Sequence, residues 1–292
     1  MLRSLIRKNL FLRKLVAYII APSGLFDNYF KKYSLSIVWK LRLNDILSSP
    51  DNMFIPRVEN AGQISKGKQI MHNGLRINLG SYYGPEYSVV LSENKGVHEP
   101  QEERVFNEVL NVMPAGATML EMGAFWSFYS MWFNKKVVGA KNYMVEPDEF
   151  NLGQGKRNFR LNNMKGEFIK AFVDSKSSIN NGVVTLSVDD IIKKYKISFL
   201  DILHSDIQGY EFNMLQGAIE SINNNKIGYV FISTHSNEVH YQCVEFLRQH
   251  NFIILSTADL DQTYSEDGLI VAVASTYKNI IQPINISQKN NA

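Results

Sequence analysis

The chain has 292 residues, 45% of them hydrophobic, a single cysteine and a formal net charge of +3. That is enough apolar material for a full core, arranged as one large domain plus an extension. One cysteine, Cys243, excludes a disulfide framework and a cysteine-rich zinc site, suits a reducing, cytoplasmic compartment, and reads as a small core residue on a helix.

The charge is unevenly spread. Residues 1–50 hold nine basic side chains (Arg3, Arg7, Lys8, Arg13, Lys14, Lys31, Lys32, Lys40, Arg42) against Asp27 and Asp45, a net of +7, so the remainder sums to −4. An acidic main body without a recurring basic–aromatic pattern predicts no nucleic-acid partner. In the first segment Leu2, Leu5, Ile6, Leu12, Val16, Ile19 and Ile20 recur near helical spacing with basic residues between them. Arg13 and Lys14 break the run, which therefore cannot span a bilayer of roughly 20 apolar residues and does not make the apolar stretch of a secretory signal. Two expectations stand for residues 1–20. The helix lies peripherally on the anionic inner membrane surface, or it packs on the main domain or on a sister subunit of a homo-oligomer.

Helices are expected over residues 2–20 and about 29–48, separated by Ala21-Pro22-Ser23-Gly24, followed by an irregular stretch over 50–73. Two short strands, Leu75–Leu79 and Tyr87–Leu91, would be joined by the turn Gly80-Ser81-Tyr82-Tyr83-Gly84-Pro85. Glu99–Asn111 reads as a helix with Pro100 in its first turn. From Thr118 the pattern alternates, with strands at about 118–122, 142–146, 166–172, 199–206 and 227–233. Helices fall between and after them, at about 126–136, 149–162, 187–195, 211–223 and 236–250. Phe252–Ser256 and Leu269–Ala274, around a polar turn, read as a terminal hairpin. This order predicts an α/β doubly wound sheet, mostly parallel with an antiparallel finish. The expected divisions are an N-terminal extension of basic helices and short strands (1–96), a Rossmann-like domain (97–276) and a polar tail (277–292).

In such a sheet ligands sit beyond the carboxyl ends of the strands at the switch point. That places function at Glu121–Ser127, Glu146, Ala171–Asp174, His204–Gly209 and Thr234–Ser236. The run Met119-Leu120-Glu121-Met122-Gly123-Ala124-Phe125 is answered by Tyr143-Met144-Val145-Glu146-Pro147. A small residue past the first strand admits a ligand to the backbone, and an acid at the tip of the second accepts hydrogen bonds from ribose hydroxyls. The span from Gly123 to Phe128 has one glycine where a dinucleotide site needs three, and no Gly-Lys-Ser/Thr follows a strand. A nucleoside without a phosphate cradle remains, and S-adenosylmethionine is the commonest such cofactor.

Further along, His204 and Asp206 alternate onto one face at the end of a strand, and Glu211 opens the next helix, where an acid also serves as an ordinary cap. If the following strand lies alongside, His235 arrives beside Asp206. An alcohol becomes a nucleophile when a base takes its proton, so His235 or His204 is a candidate base with Asp206 orienting it. The alternative is a divalent metal held by Asp206 and His235 that acidifies the hydroxyl. Tyr82 and Tyr83, in a loop, are candidates for stacking on a sugar ring.

These residues carry a family resemblance. Glu121-Met-Gly-Ala-x-x-Ser-Phe-Tyr-Ser130, Val145-Glu-Pro147, Leu186-Ser-Val-Asp-Asp190 and Asp206-Ile-Gln-Gly-Tyr-Glu211 with Leu215-Gln-Gly-Ala218 resemble the FkbM-type methyltransferases over about residues 97–275. Glu121 stands where the family has Asp, Phe125 where it has Asn, Ser127 where it has its second Gly, and His204 where it has Lys. The resemblance implies a seven-stranded fold, S-adenosylmethionine as donor and O-methylation of a hydroxyl on a sugar, glycan or glycosylated natural product. It implies a donor site lined by Glu121, Gly123 and Glu146 with the flanking Ala124, Phe125, Ser127 and Pro147, Phe172 and Val173 beside adenine, and Ser205 and Asp206 near the transferred methyl. Polar groups of the 98–102 run, His98 among them, and Gln208 would contact the methionine end and the acceptor. The departures leave a second expectation, a non-catalytic nucleoside-binding scaffold with a basic membrane-surface N-terminus.

Overall fold

In the computed structural model, which describes residues 10–289, the basic segment is not one helix. It begins with α1 (Leu10–Leu15), runs on as a π turn over Val16–Ile20, and is followed by α2 (Asp27–Lys31) and α3 (Ile37–Ser48). The expected helix over 2–20 lies partly outside the described residues, and the one expected over 29–48 is divided at 32–36. The described part packs on the main domain: Lys14 pairs with Glu149 at 2.7 Å, the Tyr18 ring stacks on Phe150, and Arg157 donates to the Tyr18 carbonyl. No helix among the described residues is long and apolar enough to cross a membrane.

The stretch expected to be irregular holds β1 (Ile64–Ser65) and β2 (Lys68–Ile70), which with β3 (Arg76–Asn78) make a small antiparallel sheet. The strand expected at Tyr87–Leu91 is instead part of α4 (Pro85–Glu93). Gly84, at φ +77°, turns the chain, and Pro85 then starts the helix without needing a backbone donor. Tyr87, Val90 and Leu91 recur three and four apart and are all buried, so burial of a helical stripe overrides their β-forming preference.

The helix α5 (Pro100–Val112) precedes the main sheet. Then follow β4 (Thr118–Met122), α6 (Phe128–Lys136), β5 (Lys141–Val145), α7 (Glu149–Leu161) and β6 (Glu167–Ile169). The strand expected over 166–172 stops at Ile169, and the chain leaves to form a second small sheet from β7 (Phe172–Val173), β8 (Ser178–Asn180) and β9 (Val183–Leu186). The chain returns through α8 (Val188–Lys194), β10 (Leu200–Ser205), α9 (Glu211–Gln216), α10 (Ile219–Asn223), β11 (Ile227–Thr234), α11 (Asn237–Gln249), β12 (Phe252–Ala258) and β13 (Gly268–Ala274). Side-chain caps stop fraying where α7, α8 and α11 begin, from Asp148, Ser187 and Ser236.

The seven-stranded sheet has the order β12-β13-β11-β10-β4-β5-β6, parallel except for β13, which is antiparallel to both neighbours. The strands β4, β10 and β11 are buried along their whole length, as a parallel sheet covered on both faces requires. Met119, Ile202, Tyr229 and Phe231 face one core, shared with Ile46, Met71, Leu75 and Tyr87 of the extension. Leu120, Leu203, Val230 and Ile232 face the other, shared with Met214, Leu215, Cys243 and Leu247. The switch point lies between β4 and β10, from which the chain runs outward in opposite directions.

Candidate active site

Where β4 and β10 end, a cleft of about 670 Å³ opens, large enough for a nucleoside-sized ligand. Gly123 lines it at φ +71°. A Cβ there would stand 1.7 Å from the Asp206 carbonyl oxygen, so the glycine is required first by the neighbouring loop, which Asp206 ties down by donating its amide to the Met122 carbonyl. Phe125 (φ +37°) and Ser127 (φ +60°) hold the turn in left-handed backbone that non-glycine residues enter at a cost. Ser127 occupies the position where the resembled family has glycine, and its backbone shows why.

Opposite Gly123, Glu146 caps the end of β5 inside the same cleft. Its carboxylate accepts from the Phe125 amide at 3.2 Å and the Asp148 amide at 2.9 Å. A carboxylate has about four acceptor positions; the Asn151 side chain also engages this one, which leaves room for a ligand hydroxyl. Burial pushes this carboxyl upward, and the two amides oppose the shift. Pro147, Phe172 and Val173 continue the wall, with the half-exposed Phe172 offering a face for a base. Asn151, Asp174 and the β9 residues Val183 and Thr185 also line it. Sequence reading missed β9, because the two short strands of its hairpin carry no apolar alternation strong enough to announce them.

The mouth of the cleft is formed by Tyr83, Asp206, Gln208 and Tyr210. Since β10 and β11 are parallel neighbours, His235, just past β11, arrives beside Asp206, with Nε2 3.3 Å from Oδ1. Its Nδ1 lies 2.8 Å from Glu211 Oε1, and Nε2 is also 3.4 Å from Asp267 Oδ1 and 2.7 Å from the Gln208 side-chain amide. Burial works against a charge on His235, but the bonds to Asp206 and Glu211 and the charge of Asp267 outweigh it and push the imidazole up to about 10. At neutral pH, with nothing else bound, His235 holds its proton and so is not itself the proton acceptor. Asp267, pushed up to about 6 by burial and by Asp206, was not foreseen. It lies in the turn before β13, where no periodicity marks it.

Several expected site residues lie elsewhere. The strand β10 ends at Ser205, so Asp206 is already in a turn and does not share the face of His204. His204 points beneath the sheet, buried and 2.7 Å from Glu102 of α5, and is no candidate base for a ligand in the cleft. Glu121 is on the same covered side, bonded to the Ser130 amide at 3.2 Å and pushed up to about 7 by burial. His98 is buried between Glu103 (2.6 Å) and Glu99 (3.3 Å), and His72 closes the far side of Glu103 at 3.0 Å. Burial alone would raise the Glu103 carboxyl, but the two imidazoles hold it well below the carboxylate range. Tyr82 is buried and stacks on Trp126, with ring centres 4.3 Å apart, so only Tyr83 of the pair faces the cleft. Ala124, Ser127 and Ser205 are buried supports of the turn.

Residues 169–254 match the family described as Methyltransferase FkbM domain, a segment that runs from the end of β6 into β12 and contains Asp206, Glu211 and His235. A comparison with curated proteins finds no match. Among solved structures, precorrin-6y C5,15-methyltransferase from Geobacter metallireducens GS-15 is 16% identical, with 59% of this chain and 89% of that chain covered and a TM-score of 0.41. TrmK of M. capricolum, in complex with S-adenosyl-homocysteine, is 14% identical over 61% of this chain and 71% of that chain, with a TM-score of 0.39. A putative rRNA-methylase from Clostridium thermocellum is 11% identical over 59% and 94%, with a TM-score of 0.45. The sheet order and the cleft at its switch point define a Rossmann-like α/β fold, and the matched segment is similar to an S-adenosylmethionine-dependent methyltransferase domain. Over residues 169–254 the similarity is to the FkbM type, in keeping with the motifs of the strand ends.

Proposed function

We propose that the protein is an O-methyltransferase acting on a hydroxyl of a sugar, glycan or glycosylated natural product. The observation that carries this reading is the convergence of Gly123, Glu146 and Asp206 on one cleft. The fit to the cofactor rests on the acceptor capacity of Glu146 for ribose hydroxyls and on Gly123, which puts no side chain into the cleft. When bound, S-adenosylmethionine supplies a methyl group on a positively charged sulfur. Asp206 accepts the proton of the incoming hydroxyl, and His235, braced by Glu211, orients Asp206. Tyr83 and Tyr210, both half-exposed at the mouth, offer faces for a sugar ring. Asp174, Asp206 and Asp267 make the rim acidic, which suits a neutral polyol and opposes a polyphosphate chain.

Incubation with labelled S-adenosylmethionine and a panel of hydroxylated glycans tests the reading, since a non-catalytic scaffold yields no methylated product. Replacing Glu146 with Ala should weaken S-adenosylhomocysteine binding about 10–100-fold, the loss of one or two charge-assisted hydrogen bonds. Calorimetry showing unchanged affinity would contradict the ribose assignment. Asp206→Ala should keep that affinity within a few-fold and lose turnover, and a fully active variant would remove Asp206 from the chemistry.

A further inference from the structure

We propose that Asp206, His235 and Asp267, with the side-chain carbonyl of Gln208, form a site for one divalent first-row cation of the Mn²⁺ or Zn²⁺ type at the mouth of the cleft. This deepens the methyltransferase reading and rests on it for the role of the site, though not for its geometry. Among the described residues, one ligand atom from each of Asp206, His235 and Asp267 lies within 4.8 Å of the other two. They come from three separate segments, the ends of β10 and β11 and the turn before β13.

The distances distinguish a cation site from a plain ion-pair cluster. Charge-assisted N–H···O bonds run at about 2.7–2.9 Å, and His235 Nδ1 to Glu211 meets that at 2.8 Å. On the other side of the ring, Nε2 stands off from Asp206 and Asp267 at 3.3 and 3.4 Å. Two ligands each about 2.1 Å from a cation stand about 3.0 Å apart at a right angle and about 3.4 Å apart at a tetrahedral one. Both contacts to Nε2 are longer than a charge-assisted hydrogen bond, and each falls at a separation that two ligands of one cation adopt.

Glu211 supplies the supporting shell. It is fully buried, is held by the Gly209 amide at 2.9 Å, and retains one oxygen, Oε2, without a partner. A carboxylate on Nδ1 fixes the tautomer that turns the Nε2 lone pair toward a metal. Gln208 reaches Nε2 at 2.7 Å with its terminal amide. The nitrogen and oxygen of that amide exchange by a half-turn, and a cation selects the oxygen. Two carboxylates, an amide and an imidazole favour Mn²⁺ or Zn²⁺ over Ca²⁺. Side-chain exposures of 31%, 16% and 20% for Asp206, His235 and Asp267 leave coordination positions open to the acceptor. There the cation would make a coordinated hydroxyl more acidic by lowering its pKa. With the cation bound, Asp206 serves as a ligand rather than as the proton acceptor, so the O–H bond breaks with its proton passing to water, and the O–CH₃ bond forms as the methyl–sulfur bond breaks, with no change of oxidation state.

Electron paramagnetic resonance of the chelator-stripped full chain titrated with Mn²⁺ tests the site. One Mn²⁺ per chain should bind and be displaced by Zn²⁺. Asp267→Asn and Gln208→Leu, each checked for a native circular dichroism spectrum, should each weaken binding at least about tenfold, whereas Glu245→Gln, an exposed change on α11, should not. Absence of binding at millimolar Mn²⁺, or wild-type affinity in a folded Asp267→Asn or Gln208→Leu variant, overturns the proposal. Calorimetry of S-adenosylhomocysteine with the metal-free chain reads the cofactor site separately, so its failure would strike the methyltransferase reading and not the cation site.

Discussion

Gly123 shows how one residue serves folding and function together. The sequence marks it as the small residue after an apolar strand, and a ligand's need for room explains it at first sight. Packing adds a stricter reason, because a Cβ would fall 1.7 Å from the Asp206 carbonyl in backbone already at φ +71°. Gly123→Ala should therefore cost more than about 2 kcal/mol of stability, through strain and displacement of the Asp206 loop, and should weaken cofactor binding as well. Urea denaturation checks this, and a variant as stable as the parent would show that the loop relaxes freely. The two candidate histidines teach a complementary lesson. Alternation along a strand put His204 and Asp206 on one face, but alternation holds only while the strand lasts, and β10 stops one residue before Asp206. His235 was reachable from sequence because it needs only adjacency of β10 and β11. Asp267 was not, since a polar turn holds several acids and nothing local singles one out.

At the scale of elements, His240 ties three together. It lies on α11, with Nδ1 2.9 Å from the Thr234 hydroxyl of β11 and Nε2 2.9 Å from the Thr257 hydroxyl of β12. Burial drives its imidazole down to about 4, only partly opposed by Asp259. The unfolded chain, with an ordinary histidine near 6.5, takes up a proton that the folded chain refuses. Stability from this group is therefore present above about pH 6.5 and is lost as pH falls toward 4, by up to about 3 kcal/mol. Denaturation of the wild type and of His240→Gln across that window should give a steeper acid loss for the wild type, and parallel profiles would refute the assignment. Elements with strong apolar periods, such as β4, β11 and α11, were legible. Those decided by a turn residue were not: Pro85 after Gly84 converts a β-rich run into α4, and the chain's departure at Ile169 splits an expected strand between two sheets.

The whole molecule is knit together beyond its Rossmann-like centre. Residues expected to form a polar tail instead lie across the strands. Ile284 exchanges backbone and side-chain bonds with Leu255 and Ser256, and Ile286 is buried. The Ser287 amide donates to Asp51, and its carbonyl accepts from Gln101. Ending the chain at Tyr277 should cost on the order of 3–5 kcal/mol, from the apolar area of the packed isoleucines Ile281, Ile284 and Ile286 and the loss of the Ser287 amide bond to Asp51. A denaturant midpoint unchanged by the truncation would show that the tail contributes nothing. The extension is likewise part of one core, because Ile46, Met71 and Tyr87 pack in the cluster that holds Phe106 and Phe231.

The alternation of strands and helices, the acid at the tip of β5 and the residues resembling a methyltransferase family were determined by the sequence alone. Periodicity, caps and turn chemistry act over a few neighbouring residues, so they can be read along a line. Tertiary structure alone decided that His235 rather than His204 meets Asp206, that Asp267 joins them, and that Glu121, His98 and Tyr82 turn inward. Those outcomes depend on where a strand stops and which layer covers it, and such contacts form between segments far apart in the chain.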